Sequence, residues 1–203
     1  MNFEELGLCK EIISSINEKG YENPTEIQRI AIPHILMGRD LLGCAQTGTG
    51  KTGSFVMPLA EILNFGKSKS RMPRSLILAP TRELAMQVAE EFNFINKFLK
   101  LQMALLIGGV SFTEQDNKLA KGVDVLVATP GRLIDHIERG NVIIKDVKIL
   151  IIDEADRMLD MGFIPDIMKI NKLLPKIRQT LFFSATLSSE IRKIGKNLLI
   201  NPK

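Results

Sequence analysis

The sequence contains no tryptophan, one tyrosine, two cysteines and two histidines in 203 residues. Cys9 and Cys44 stand far apart, with no C-x-x-C spacing and no histidine cluster beside them, which argues against a disulfide framework or a zinc site and fits a reducing compartment. His34 and His136 lie in helical patterns without acidic or cysteine partners at ligand spacing, so both read as ordinary surface or core residues. No apolar run approaches the ~20 residues that span a bilayer. The N-terminal MNFEELGLCKEI mixes acids into the place where a secretion signal has basic residues and then an apolar run. A soluble, cytoplasmic protein with no membrane partner is the expectation. Strong charge of one sign is also missing: Lys and Arg number 27 against 23 for Asp and Glu, a net +4 that permits a polyanionic partner without requiring one.

What the chain does have is 45% hydrophobic residues, enough at this length to bury one sizeable core and short of two typical domains. Runs rich in Val, Ile and Leu recur at 40–45 (DLLGCA), 75–80 (SLILAP), 103–109 (MALLIGG), 123–130 (VDVLVATP), 147–156 (VKILIIDEAD) and 180–186 (TLFFSAT). Several are apolar at consecutive positions, the pattern of strands covered on both faces. Between them the spacing turns helical, as in 82–99, where Leu84, Val88, Phe92 and Ile95 step at three or four residues. This alternation predicts an α/β fold, a mostly parallel sheet with helices on both faces and ligands at the carboxyl ends of its strands. The basic stretch 64–75 (NFGKSKSRMPRS) reads as a surface loop, and the Met-rich 157–163 (RMLDMGF) as core filling.

The segment AQTGTGKT (45–52) follows one strand run and precedes a helical pattern, the setting of a phosphate-binding loop. Gly48 and Gly50 allow backbone angles that turn successive N–H groups toward an anion, and helix N-terminal amides add to the same hollow. Lys51 is placed to reach β- and γ-phosphates and the Thr52 hydroxyl to hold Mg2+. Ala45 stands where the strict pattern has glycine, so the match is to the looser form. About a hundred residues later, ILIIDEAD (149–156) ends an apolar run on two carboxylates, Asp153 for the metal side and Glu154 for the water side of nucleoside triphosphate hydrolysis. Lys51, Asp153 and Glu154 are the catalytic candidates.

These residues, with DEAD (153–156), make the chain resemble the N-terminal RecA-like domain of a bacterial-type DEAD-box ATP-dependent RNA helicase. GYENPTEIQ (20–28) resembles the family's adenine-reading Q motif, with Tyr21 where many members have Phe and with Phe3 as the upstream aromatic; PTRELA (80–85), GG (108–109), TPGR (129–132) and SAT (184–186) match the remaining first-domain motifs in order. The resemblance implies a RecA-like P-loop NTPase fold and a division into a Q-motif region with an N-terminal helix (1–29) and an ATP-binding domain (30–203), together a single domain. It implies ATP and Mg2+ as cofactors, Tyr21 and Gln28 on the base, and Ala45, Gln46, Thr47, Gly48, Thr49, Gly50, Lys51 and Thr52 around the phosphates. It further implies RNA contacts from Pro80, Thr81, Arg82, Gly108, Gly109, Thr129, Gly131 and Arg132, and a coupling role for Asp156, Ser184 and Thr186.

Physical chemistry supports several of these assignments independently. The Gln28 amide offers one donor and one acceptor, complementary to adenine N6 and N7 but not to guanine. The polar turns at 80–82, 108–109 and 129–132 all follow apolar runs, and their amides, hydroxyls and cations suit phosphates and sugars rather than base edges, so binding insensitive to base sequence is expected. Arg82 and Arg132 have a plainer alternative, pairing with Glu83 and Asp135, and DNA remains open as the polyanion. Ser184 and Thr186 are expected within hydrogen-bonding reach of Asp156. No motif follows SAT, so the chain reads as a fragment whose second RecA-like domain supplies the missing arginines, with weak turnover by itself. Duplex unwinding and an ATP-gated RNA clamp that hydrolyses only for release both fit these residues; a small-molecule kinase lacks its arginine-bearing lid.

Overall fold

The computed structural model describes residues 2–203. Six strands form one sheet: β1 (Leu41–Cys44), β2 (Ser75–Leu78), β3 (Met103–Leu106), β4 (Val125–Ala128), β5 (Ile149–Ile152) and β6 (Gln179–Ser184). Every pairing is parallel, in the order β1-β6-β5-β2-β4-β3, so the mostly parallel sheet read from the sequence is wholly parallel. The four central strands are buried at every position, which is why their apolar runs are uninterrupted.

Helices fill both faces because side chains alternate along each strand. Ile77, Val127, Ile151 and Phe183 point to one side, where they meet α1 (Lys10–Glu18), α2 (Glu26–Leu36), α3 (Lys51–Leu63) and α4 (Arg82–Ile95). Leu78, Leu126, Ile152 and Phe182 point to the other, against α5 (Phe112–Ala120), α6 (Pro130–Glu138), α7 (Ala155–Asp160), α8 (Ile164–Leu173) and α9 (Ser189–Leu198). Of the Met-rich stretch, Met158 is fully buried among them, whereas Met161 is exposed, so the core-filling reading holds for one of its two methionines. Phe55 of α3 packs on Phe183 with centroids 5.2 Å apart, and truncating either ring to alanine should cost about 3–5 kcal/mol.

The segment 1–29 ends inside α2, and its Phe3, Leu6, Ile12 and Ile16 belong to the same buried cluster as α3 and the sheet. The basic stretch 64–75 is a loop, but a pinned one. Arg74 pairs with Asp124 at 2.8 Å and donates to Phe65 O and Leu63 O, while Asp124 also accepts from Ser68 N and Gln102 N. At the opposite edge, Lys203 exchanges backbone hydrogen bonds with Asp40 and Leu42 and so runs along β1.

Candidate active site

The strand order divides the carboxyl edge of the sheet in two. β1, β6 and β5 carry AQTGTGKT, SAT and DEAD at their ends, whereas β2, β4 and β3 carry PTREL, TPGR and GG. Between β1 and the N-terminal helices opens a cleft of about 390 Å3, lined by Tyr21, Gln28, Thr47, Gly48, Gly50, Lys51, Thr52, Asp153 and Glu154 among others.

The loop owes its shape to glycine at two positions. Gly48 and Gly50 have φ of 85° and 83°, in the left-handed region that costs other residues roughly 1–2 kcal/mol. At Gly50 there is no room either: an added Cβ would lie 2.7 Å from Gln28 Nε2 and 2.8 Å from Thr25 Oγ1. Ala45 N donates to Ser184 O at 3.1 Å, tying the loop to β6, and Thr49 Oγ1 closes the turn on Gln46 O at 2.7 Å.

Lys51 begins α3 and is buried, its ammonium held between Asp153, 3.1 Å away, and Glu154. Burial works against the charged ammonium, but the two carboxylates outweigh it and the Lys51 pKa lies above its ordinary value. Asp153, more deeply enclosed, is pushed up by burial and by its acidic neighbour against the pull of Lys51. Two anions facing one cation in a low-dielectric hollow leave an acid that holds a proton more readily than usual. Glu154 takes φ 56° and ψ 48°, a strained conformation for a side chain, as the residue between β5 and α7. That backbone turn aims its carboxylate back at Lys51.

At the other end of the cleft, Gln28 is 3% exposed and spans two elements. Its Oε1 accepts from Thr25 N at 3.0 Å, closing a capping box at the start of α2, and its Nε2 donates to Gly50 O at 3.0 Å. Tyr21 is exposed beside it. The Lys19 ammonium lies 5.0 Å from the Tyr21 centroid and 4.8 Å from that of Phe94, and pairs with Glu91, itself part of the cleft lining.

On the second half of the edge, Thr81 caps α4 by accepting from Leu84 N at 3.2 Å, directly after Pro80. The exposed Arg82 guanidinium crosses Gly109, where a Cβ would lie 2.7 Å from its Nη1; with φ 78°, Gly109 is the residue this approach needs. Gly108 is half-buried beside it, and Thr129, Gly131 and Arg132 open α6. Neither arginine pairs with the acid that its sequence neighbourhood suggested, Glu83 or Asp135. Arg132 donates from Nε to Gln115 Oε1 at 3.0 Å and from Nη2 to Val110 O.

One assignment needs correcting. Thr186 donates from N and Oγ1 to Asp156 Oδ2 at 3.1 and 3.2 Å, but Ser184 makes no such contact. Ser184 is the last residue of β6, fully buried, and its Oγ has no hydrogen-bond partner. The chain must leave the sheet before it can turn over α7, so only the second hydroxyl of SAT reaches the acid.

Residues 25–194 match the DEAD/DEAH box helicase family. The chain belongs to that family. It is 46% identical to the ATP-dependent RNA helicase DeaD of Buchnera aphidicola subsp. Acyrthosiphon pisum, over 99% of this chain and 33% of that protein, and 43% identical to the DeaD of Escherichia coli K12, over 99% and 32%. The crystal structure of a DEAD box protein from the hyperthermophile Methanococcus jannaschii superposes with a TM-score of 0.93 at 41% identity, covering 100% of this chain and 55% of that one. The chain thus spans about a third of the length of these helicase relatives.

For a DEAD-box domain the donor set suits Mg2+. Thr52 and Asp153 offer hard oxygens beside the loop, and Mg2+ is ordinarily held by one or two carboxylates plus phosphate and water. No group of three or more His, Cys, Asp or Glu is placed to hold a metal among the described residues. Sequence reading overlooked Lys19, Thr25 and Glu91 at the cleft, and Phe112, Gln115 and Arg139 behind Arg132; His136 beside them is buried, as one of the two readings given for it had it. Only one had a legible signal: the T-x-x-Q of TEIQ is a capping-box spacing, which predicts the Thr25–Gln28 pair. No helix among the described residues is long and apolar enough to cross a membrane.

Proposed function

We propose that this domain binds ATP with Mg2+ in the cleft ahead of Lys51 and, within a longer protein, couples ATP binding and hydrolysis to sequence-independent RNA binding and local duplex unwinding. The observation that carries the reading is Lys51 held by Asp153 and Glu154 at the foot of an amide-lined loop that Gln28 anchors. Each residue then has a task. Amides of Gly48 to Thr52 surround the phosphates, and Lys51 exchanges its carboxylates for β- and γ-phosphate oxygens. Thr52 and Asp153 would hold Mg2+, which supplies positive charge between phosphates and carboxylates. Glu154, released by Lys51, is free to orient a water and accept its proton.

Base recognition uses what the capping box leaves over. An amide nitrogen has two hydrogens and its oxygen two lone pairs; one of each is committed to Gly50 and Thr25, so one donor and one acceptor remain for adenine. Pro80, Thr81, Arg82, Gly108, Gly109, Thr129, Gly131 and Arg132 form the RNA rim, and the Asp156–Thr186 contact links the DEAD turn to SAT. A second RecA-like domain would supply an arginine worth roughly 10³- to 10⁵-fold in turnover, so hydrolysis by this chain alone should be slow.

Fluorescent ATP-analogue titration tests the nucleotide assignment. The unaltered chain should bind in the presence of Mg2+, and Lys51→Ala should abolish the signal. Unchanged affinity in that variant would overturn the assignment. In the two-domain protein, Glu154→Gln should keep binding and lose turnover.

A further inference from the structure

Behind the RNA rim, one phenylalanine holds two arginines. The guanidinium carbons of Arg132 and Arg139 lie 3.4 and 3.7 Å from the centroid of Phe112, at stacking distance from one ring. They are therefore no more than about 7 Å apart, the sum of those two distances. Like charges this close repel unless an anion joins them, and among the described residues neither arginine has a carboxylate within 4.0 Å. The nearby acids are otherwise placed: Asp116 pairs with Arg71 and Glu138 with Lys169, while Asp135, one turn before Arg139, makes no ion pair with it.

The surrounding bonds fix this pair. Gln115, 3% exposed, donates from Nε2 to Ile107 O at 3.0 Å and uses Oε1 to accept from both Arg132 Nε and His136 Nε2, the latter at 2.8 Å. Asn141 Nδ2 donates to His136 Nδ1 at 3.3 Å, so the proton of the neutral imidazole sits on Nε2. The His136 ring in turn packs on Phe112 at 4.8 Å. Arg132 thus has two of its donor nitrogens committed, while the guanidinium of exposed Arg139 has no hydrogen-bond partner among the described residues and all five of its N–H donors free.

We propose that Arg139 is a further phosphate-binding residue of the rim, held beside Arg132 by the Phe112 ring so that the two guanidiniums take neighbouring phosphates of one RNA strand. The inference rests on the reading of Arg132 as an RNA contact. Planarity is part of the device, since a lysine ammonium would not stack on the ring in the same way.

Fluorescence anisotropy of a labelled single-stranded oligouridine, titrated over a salt series with the two-domain protein that contains this chain, with Mg2+ and a non-hydrolysable ATP analogue present, tests it. Arg139→Gln should weaken binding about fivefold and lower the slope of log affinity against log salt by about 0.7, one phosphate's worth for a single strand. Phe112→Leu, which keeps both charges, should also weaken binding because the spacing is lost. Melting temperatures confirm that each variant is folded. If Arg132→Gln weakens binding and flattens the slope while Arg139→Gln does neither, the proposal is wrong and the rim stands. If Arg132→Gln also leaves both unchanged, or the unaltered protein does not bind, the rim reading itself falls and takes the proposal with it.

Discussion

Replacing Gln28 by alanine perturbs two things the structure joins, the start of α2 and the phosphate loop. The amide makes two hydrogen bonds, to Thr25 N and Gly50 O, each 3.0 Å long. Neither partner would be stranded by the truncation: Thr25 is exposed and its N–H can reach water, while Gly50 O still accepts from Ser54 N at 3.1 Å. The loss is therefore the net value of two hydrogen bonds and half a capping box, roughly 2 kcal/mol rather than the larger penalty of a buried orphan. For a chain of this length that is a fall of about 4–8 °C in melting temperature, readable by differential scanning fluorimetry without nucleotide. The second readout is the ratio of ATP to GTP affinity. A site that pairs with adenine through a buried amide should disfavour guanine by at least about tenfold, and the variant should bring the ratio close to one. Loss of melting temperature with an unchanged ratio would show that Gln28 is a structural tie and not a reader of the base. An unchanged melting temperature would refute the energetic reasoning itself.

Further expectations concern charge and thiols. Lys51→Met leaves Asp153 and Glu154 buried without their cation, costing about 3–5 kcal/mol near neutral pH; because the Asp153 pKa is already raised by burial, protonation relieves the variant, so its deficit should be smaller at pH 5 than at pH 8 in paired thermal melts. A deficit independent of pH would contradict this. His136 is held below its ordinary pKa by burial and then by the Arg132 charge, with Arg139 adding to it and Asp116 and Asp135 opposing. A group depressed in the folded state binds more protons when unfolded, so stability should fall as pH drops below ~6.5, and His136→Gln should flatten that dependence in urea titrations at pH 7.5 and 5.5. Cys9 is pushed up to about 11, chiefly by burial, whereas Cys44 is exposed at the end of β1. At pH 8 about one Cys9 in a thousand is thiolate, so Ellman's reagent should show one fast thiol, lost in Cys44→Ser, and one slow thiol; two equal fast phases would contradict the assignment.

Local chemistry made much of this molecule legible. Uninterrupted apolar runs such as ILII and TLFF can lie only between two helical layers, so the α/β class follows from pattern alone. The motifs were legible for a related reason: a phosphate loop needs its glycines, lysine and threonine consecutively, because backbone amides and the first helical turn build the hollow. Residues acting through a contact remote in sequence left no such trace. Glu91 and His136 sit in helices whose periodicity explains them as well as any function would, Arg139 caps the end of α6, and their partners lie on other elements.

By itself, then, the order of residues determined the alternating elements, the phosphate loop and the acids that close β5, because each depends on neighbours within a few positions. The tertiary structure decided that β6 lies between β1 and β5, which leaves Ser184 enclosed without a partner and lets Thr186 meet Asp156. It also decided that Gln28, expected only on the base, braces the phosphate loop, and that Phe112 gathers two arginines, one from the first turn of α6 and one from just past its end. Those are matters of strand order and of how one element's side chains reach another, and no local pattern encodes them.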